Sequence, residues 1–151
     1  MRVVIQRVSE ASVAIDNELK SSIHQGLLVL ASFETDDNDE DLDWNCKKII
    51  QLRIFNDLNG VMNLSVKDIE GEILVVSQFT LHARTKKGNR PSYINAAPPE
   101  ISIPLYHQFV ESLSQNLGTK IQTGEFGAHM IVRLINDGPV TIIIDSKNKD
   151  F

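Results

Sequence analysis

The chain lacks the cysteines, the long apolar runs and the targeting features that mark several classes of protein. Its single cysteine, Cys46, excludes an internal disulfide, and we interpret it as a structural thiol within a helix. No apolar run approaches the roughly 20 residues needed to span a bilayer, and residues 1–7 lack the apolar core and cleavage site of a signal peptide. The sequence therefore predicts a cytosolic protein with no membrane segment.

Motifs that bind metals or nucleotides are also missing. The sequence contains no His-Glu-x-x-His, Cys-x-x-Cys, Walker or Gly-x-Gly-x-x-Gly pattern, and its histidines are scattered at His24, His82, His107 and His129. The acid-rich stretch 34–41 lacks the Gly and closing Glu of a calcium loop, so we interpret it as the solvated start of a helix. We expect neither a metal nor another cofactor.

Positive charge is scarce. The formal net charge is −5, which argues against non-specific binding to nucleic acid because that affinity comes mainly from Lys and Arg on phosphates. One local exception, which we name the basic segment, is residues 84–90. Its four cations are the candidates for a nucleic-acid contact: Arg84, Lys86, Lys87 and Arg90.

The composition that is present is typical of a globular protein. With 151 residues, 42% hydrophobic and 23% charged, the chain predicts a single domain over residues 1–151. Apolar periodicity predicts a helix beginning near Leu42 and a second helix with Pro104 in its first turn and Gly118 at its end. The fold class is α+β, with a mostly antiparallel sheet and two principal helices. Strands are predicted at 3–8, 11–15, 26–33, 53–55, 73–76, 120–123, 130–135 and 140–145.

Polar residues continue directly from the buried strand predicted at 73–76. We name residues 77–80, Ser77-Gln78-Phe79-Thr80, the strand-end segment. Buried polar groups are unfavourable unless they are hydrogen-bonded, and lining a site is one reason to keep them. Ser77 and Thr80 are candidate nucleophiles, but no Gly-x-Ser-x-Gly elbow surrounds them and the sequence assigns them no base. Backbone N–H groups here could instead polarise an ester carbonyl.

A second polar interruption separates the last two predicted strands. Residues 136–141 read Asn-Asp-Gly-Pro-Val-Thr, which is ordinary turn chemistry between two strands. The alternative is functional: Gly138 would let the backbone approach a ligand closely, and Pro139 would fix the peptide geometry, with a cis peptide bond as one option. Local sequence leaves both interpretations open.

Together, residues 77–81 and 136–141 resemble the signature of the D-aminoacyl-tRNA deacylases. The resemblance covers nearly the whole chain, and it is specific because the two motifs occur in the right order at a matching length. The segment 31–33 departs from the Gly-containing form of the family, and the tail 147–151 has no family role. Further matching positions are residues 1–8, 26–30, 53–55, 62–64, 87–88, 90–92, 123–124, Phe126 and Met130.

The resemblance implies a barrel-like deacylase fold and a homodimer that hydrolyses the ester of D-aminoacyl-tRNA, with glycine mischarged on alanine tRNA as a secondary substrate. Ser77, Gln78, Phe79 and Thr80 would form the catalytic pocket floor. A cis Gly138–Pro139 from the partner subunit would reject L side chains. The resemblance also assigns substrate binding to Asn136, Thr141 and Met130, and a tRNA contact is predicted for the basic segment. Catalysis would use the 2′-hydroxyl of the tRNA.

Three alternatives stay open. A related branch of the family has Thr in place of Gly138 and removes L-alanine from threonine tRNA, so Gly138 favours the D-selective branch. Some eukaryotic relatives are linked to replication origins, which raises a DNA-binding role through the basic segment. A conventional esterase with Thr80 as nucleophile is the third.

Overall fold

One long strand connects most of the sheet. The computed structural model describes residues 1–150, and strand β1 spans Arg2–Ile15. On one side β1 pairs first with β3 (Gly26–Ser32) and then with β2 (Glu18–Ile23). On the other side it pairs along almost its whole length with β8 (Ile131–Asp145). All three pairings are antiparallel.

The sheet continues from β3 through two parallel neighbours and curls into a barrel. Strand β6 (Glu72–Ser77) lies beside β3, and β7 (Gln122–Thr123) lies beside β6. Strand β2 contacts both β6 and β7, and the Ser21 hydroxyl donates to the Thr123 carbonyl at 2.8 Å. A separate small hairpin consists of β4 (Phe55–Asn56) and β5 (Met62–Leu64). The predicted α+β class with a mostly antiparallel, barrel-like sheet is confirmed.

The two predicted helices are present, and they cover the outer face of this sheet. Helix α1 (Asp39–Gln51) begins with a capping box formed by Asn38 and Asp41. Helix α2 (Pro99–Leu117) ends at Gly118, whose φ of 84° is the left-handed C-terminal conformation that glycine adopts readily. None of the helices within residues 1–150 is long and apolar enough to cross a membrane.

The start predicted for the second helix was wrong. Pro104 lies inside α2, because the helix begins five residues earlier at Pro99. Proline fits the first helical position, where no N–H partner is needed, so Pro99 and not Pro104 starts the helix. Pro104 is tolerated within the helix without a backbone N–H to donate.

Strand β3 is buried on both faces, in agreement with its continuous apolar sequence. Leu27 and Val29 pack with the helices in the larger core, while Leu28 packs with Leu74 of β6 inside the barrel. Cys46 lies fully buried in the larger core, and burial raises the pKa of its thiol to about 11. Its structural interpretation is therefore supported, because a reactive thiol needs a depressed pKa.

Two predicted strand boundaries were wrong for a shared reason. Residues 3–8 and 11–15 form one strand, and residues 130–135 and 140–145 belong to another. The polar residues between them interrupt the apolar pattern, but β1 and β8 pair with each other on both sides of the interruptions. Tertiary pairing thus overrides the local turn signal.

Candidate functional site

A cavity of about 270 Å³ opens where the parallel strands β3 and β6 end. Because the carboxyl ends of neighbouring parallel strands meet at one edge of a sheet, residues from both strands form one wall. A chain segment that leads into β8 forms the other wall. The lining residues are Ala31, Ser32, Phe33, Val76, Ser77, Gln78, Phe79, Phe126, Gly127, Ala128, His129, Met130 and Val132.

The strand-end segment forms the polar part of this cavity. Ser77 is the last residue of β6, and the Gln78 N–H donates to the Ala31 carbonyl at 2.7 Å. The chain then turns into a short 3₁₀ helix, Phe79–His82, whose first turn has no side-chain cap. The first N–H groups of such a helix have no partner within it and are available to an acceptor.

Thr80 does not line the cavity, but it is joined to it through Gln78. The Gln78 amide Nε2 donates to the Thr80 hydroxyl oxygen at 2.5 Å. An amide N–H group cannot accept a proton, so this partner does not activate Thr80 as a nucleophile. The geometry agrees with the absence of a base in the sequence.

An exposed aromatic pair lies beside the cavity. Phe79, which is 55% exposed, meets Tyr93 edge to face with ring centroids 5.0 Å apart. Tyr93 follows the basic segment, so this pair brings the long polar connection back to the strand-end segment. The contact was not predictable from local sequence, because it joins the 3₁₀ helix to a residue 14 positions later, in the loop before α2.

Met130 reaches the cavity because a glycine makes room for it. The Met130 sulfur lies 2.4 Å from the position that a Cβ of Gly124 would take. His129 and Phe126 line the cavity beside Met130. Among residues 1–150, no group of three or more His, Cys, Asp or Glu side chains is placed to hold a metal ion.

The second signature motif is a bulge on strand β8. The strands β1 and β8 pair at Gln6–Thr141 and at Val8–Asn136, so residues 137–140 stand opposite the single residue Arg7. We name residues 137–140 the bulge. It is not a turn that joins two separate strands, because both halves of β8 pair with β1 and belong to one strand. The peptide bond between Gly138 and Pro139 is cis.

Asn136 closes the base of the bulge. Its Oδ1 accepts the Val140 N–H at 2.8 Å, and its Nδ2 donates to the Val140 carbonyl at 3.2 Å. The same Nδ2 and the Gln6 amide each lie 3.3 Å from the Thr141 hydroxyl. These bonds replace the strand pairing that residues 137–140 give up.

Arg7 binds the bulge through its guanidinium. Its role was not predicted from the sequence. Its guanidinium is buried and donates through Nε to the Asp137 carbonyl at 2.7 Å and through Nη1 to the Ile54 carbonyl at 2.6 Å. The Asp137 carboxylate is 3.5 Å from Nε. The available signal was a basic residue in a predicted strand, 3–8, that is mostly β-branched.

Gly138 leaves no space for a side chain. A Cβ added there would lie 2.6 Å from the Val140 nitrogen and 2.8 Å from Val140 Cγ2. Neither Gly138 nor Pro139 lines the cavity of its own chain. Exposed apolar side chains stand along the same strand: Ile131, Ile135 and Ile143.

The family model for D-Tyr-tRNA(Tyr) deacylase matches residues 4–145. The chain belongs to this family.

Individual relatives of the deacylase family match over nearly the whole chain. A D-aminoacyl-tRNA deacylase from Bacteroides fragilis (strain YCH46) is 66% identical over 150 residues, covering 99% of this chain and 100% of the relative. One from Flavobacterium psychrophilum is 67% identical with the same coverage. A solved structure described as c-Myc DNA Unwinding Element Binding Protein is 40% identical, covers 96% of this chain and 98% of its own, and has a TM-score of 0.90.

A second solved structure supports the deacylase fold. It is described as a probable eukaryotic D-amino acid tRNA deacylase, with 19% identity, a TM-score of 0.83, and coverage of 95% of this chain and 98% of its own. The family predicted from residues 77–81 and 136–141 is therefore confirmed.

The predicted site residues fall into three groups in this family member. Ser77, Gln78, Phe79 and Met130 share the cavity, with Thr80 attached to it. A second group, on strand β8, comprises Asn136, Gly138, Pro139 and Thr141. A third group is exposed on the basic segment, where the backbone of Arg84 pairs with Ser92, and it comprises Arg84, Lys86, Lys87 and Arg90.

Proposed function

We propose that the protein hydrolyses the ester bond of D-aminoacyl-tRNA and releases the free D-amino acid and tRNA. The observation that carries this proposal is a cavity lined by the strand-end segment in a chain of the deacylase family. The cavity has the volume of a small substrate group and a polar strand end beside apolar walls, which is the usual composition of a small-molecule site.

The reaction would depend on backbone groups and on the RNA. The Phe79 and Thr80 N–H groups begin the 3₁₀ helix at the cavity and would stabilise the oxyanion of the attacked ester. The 2′-hydroxyl of the terminal adenosine would assist hydrolysis. This route is favoured over attack by Thr80 because the hydroxyl of Thr80 is bonded to an amide and not to a base.

Selection of the D-enantiomer would require two subunits. The bulge protrudes from β8, does not line its own cavity, and is held rigid by Asn136 and Arg7. Within residues 1–150, β8 pairs with β1 and with no other strand, and it exposes apolar residues, as a dimer surface would. In the proposed homodimer, Gly138–Pro139 of one subunit enters the cavity of the other and leaves no room for an L side chain. Glycyl-tRNA, without a side chain, would also be a substrate.

The decisive experiment compares deacylation of matched D- and L-tyrosyl-tRNA by the purified protein. We expect hydrolysis of the D form and persistence of the L form. A substrate ending in 2′-deoxyadenosine is the control for RNA assistance, and its hydrolysis should be strongly slowed. Equal rates on both enantiomers would contradict a chiral pocket.

The dimer is tested separately. Ile135→Asp places a charge on the exposed part of β8, and we expect a monomer in sedimentation velocity together with loss of deacylation. The matched control is Ile103→Asp, which places the same charge on α2 and should leave the dimer intact. A wild-type protein that sediments as a monomer would refute the shared site.

The tRNA contact of the basic segment is tested by charge removal. We expect the double variant Lys86→Ala/Lys87→Ala to raise KM several-fold and to reduce the salt dependence of KM, because phosphate contacts release counterions. The matched control is Lys47→Ala/Lys48→Ala on α1. An unchanged KM would remove the basic segment from the interface.

A DNA-binding role is the second candidate. The observations that favour it are the 40% identity to a structure described as a DNA unwinding element binding protein and the four cations of the basic segment. The net charge of −5 opposes it as a sole function. Binding to duplex DNA with a steep salt dependence, combined with no deacylation of D-aminoacyl-tRNA, would favour DNA binding over the enzyme.

A further inference from the structure

Two buried polar side chains meet behind the strand-end segment. Ser32 is 1% exposed and His82 is 3% exposed, and the Ser32 hydroxyl oxygen lies 2.7 Å from His82 Nδ1. Ser32 is the last residue of β3 and lines the cavity. His82 is the last residue of the 3₁₀ helix that starts at Phe79. The bond therefore joins the wall of the cavity to the far end of that helix.

The surroundings of His82 Nε2 indicate which tautomer the imidazole adopts. Glu34 Oε2 is 3.6 Å from His82 Nε2, and Nε2 makes no hydrogen bond to any residue within 1–150. A nearby carboxylate favours the ring proton on Nε2, so we assign Nδ1 as the acceptor of the Ser32 hydroxyl proton. The assignment gives the buried hydroxyl a single, directed bond.

A second side chain, that of Arg2, also holds the carboxyl end of the helix. The Arg2 guanidinium donates through Nη1 to the Leu81 carbonyl at 2.8 Å and through Nε to Asp145 at 2.9 Å. Residues 81 and 82 are thus both fixed to the sheet by side chains. A helix of four residues has few bonds of its own, so its orientation depends on such external contacts.

We propose that His82, through its bond to Ser32, is a positioning residue that orients the 3₁₀ helix toward the cavity. In this orientation the backbone N–H groups of Phe79 and Thr80 face the reacting ester. Because no side chain caps the start of the helix, these N–H groups are available to the ester oxygen. The kinetic part of this inference rests on the proposed deacylase function, whereas the orientation of the helix does not.

Hydrogen exchange of the full-length protein tests the orientation directly. The Leu81 and Ala83 amides donate to the Gln78 and Thr80 carbonyls within this segment. In Ser32→Ala and His82→Ala we expect exchange of these two amides to be roughly tenfold faster, because a lost buried hydrogen bond increases local opening. Unchanged exchange would overturn the proposal whether or not the protein is active on tRNA.

Kinetics test the consequence for the reaction. We expect both variants to lower kcat for D-tyrosyl-tRNA roughly tenfold with little change in KM, and the double variant to be no worse than either single one. His82→Asn retains a polar atom near the position of Nδ1, so it should recover most of the rate that His82→Ala loses. The amide of His82→Gln reaches the position of Nε2 instead, so this variant should not recover the rate.

Ser65→Ala is the matched control. Ser65 is also a buried serine, with its hydroxyl 2.7 Å from Asp68, but it does not line the cavity. We expect comparable loss of thermal stability without a change in kcat. If Ser65→Ala lowers kcat as much as Ser32→Ala does, or if His82→Asn and His82→Gln are equally impaired, His82 has only a general structural role. An inactive wild-type protein would contradict the proposed function and leave the exchange result to decide the orientation.

Discussion

The strand-end segment lies at the end of a strand and the bulge lies within one, and the protein holds them differently. The strand-end segment follows a strand buried at the centre of the sheet, and β3 fixes it through the bond from the Gln78 N–H to the Ala31 carbonyl. The bulge lies on β8, which pairs with β1 and with no other strand of the described residues. Its shape depends on two side chains, Asn136 and Arg7.

The two regions are therefore positioned by different means, one by the packed sheet and the other by individual side chains. A pocket wall inside a packed sheet is positioned by the fold itself, because displacing it would disturb the core. A protruding bulge has no such support and needs residues that fix its backbone and exclude alternatives. Changes in the bulge should therefore affect activity more than stability, and changes near the strand-end segment should affect both.

The largest effect is expected for Gly138→Ala. The added Cβ would lie 2.6 Å from the Val140 nitrogen, so the bulge must move. A displacement of about 1 Å in a positioning element lowers activity on the order of 100-fold, and we expect that loss in kcat/KM for D-tyrosyl-tRNA. Gly60→Ala is the control, since Gly60 also has a positive φ but has no atoms within 4 Å of its Cβ position. Equal losses in both variants would contradict the role of the collision.

Arg7→Lys should have the next largest effect. Lysine keeps the charge but cannot donate to the Asp137 and Ile54 carbonyls in the same fork. We expect a roughly tenfold or greater loss of kcat/KM and a loss of about 2 kcal/mol in the free energy of unfolding, measured by urea denaturation. Arg53→Lys is matched, because Arg53 donates to the Asn63 carbonyl in an exposed position. Wild-type activity in Arg7→Lys would mean that the bulge holds its own shape.

Lowering the pH should reduce the free energy of unfolding through His82, which lies behind the strand-end segment. Burial lowers the pKa of His82 to about 4, with Arg2 and the amino terminus lowering it further and Asp37 and Asp145 opposing them. Between the ordinary His pKa of about 6.5 and 4, the unfolded chain binds the proton and the folded chain does not. The free energy of unfolding should therefore fall as pH decreases through this window, by up to about 1.4 kcal/mol per pH unit from this residue.

The pH prediction is checked by urea denaturation of wild type and His82→Asn at several pH values. Asparagine does not titrate, so the difference in slope isolates His82 from Glu34, whose own pKa is raised by burial. Parallel pH profiles for the two proteins would contradict the assignment of a neutral, buried His82.

The smallest effect is expected for Thr80→Ala. If Thr80 only receives the Gln78 amide bond, its loss should lower kcat less than about tenfold, which is within the range of one hydrogen bond. Single-turnover deacylation of D-tyrosyl-tRNA measures it, with Thr119→Ala, at an exposed threonine that follows α2, as the matched change. Complete loss of turnover would instead make Thr80 the nucleophile.

Much of the fold was predictable because its signals are local. The apolar run of β3, the periodicity of both helices and the glycine at the end of α2 were all recognised from spacing. The strand boundaries on β1 and β8 were not, because the interruption of each strand is compensated by pairing with the other. The start of α2 was misplaced because two prolines, Pro99 and Pro104, both fit a first helical turn.

The candidate site was predictable only in part. The polar strand end and the Gly-Pro motif were visible as residues, and the family resemblance joined them. Arg7, Ser32 and His82 were not singled out, since each is isolated in sequence and gains its role from a partner more than 40 residues away.

By itself, the sequence determined the family, the α+β class and the identity of the two motifs, because these follow from residue types and short spacings. Only the tertiary structure decided that residues 136–141 form a bulge on one long strand and not a turn between two. It also decided that the bulge lies outside the cavity of its own chain. The physical reason is that a bulge is defined by the strand opposite it, and β1 lies at the other end of the chain.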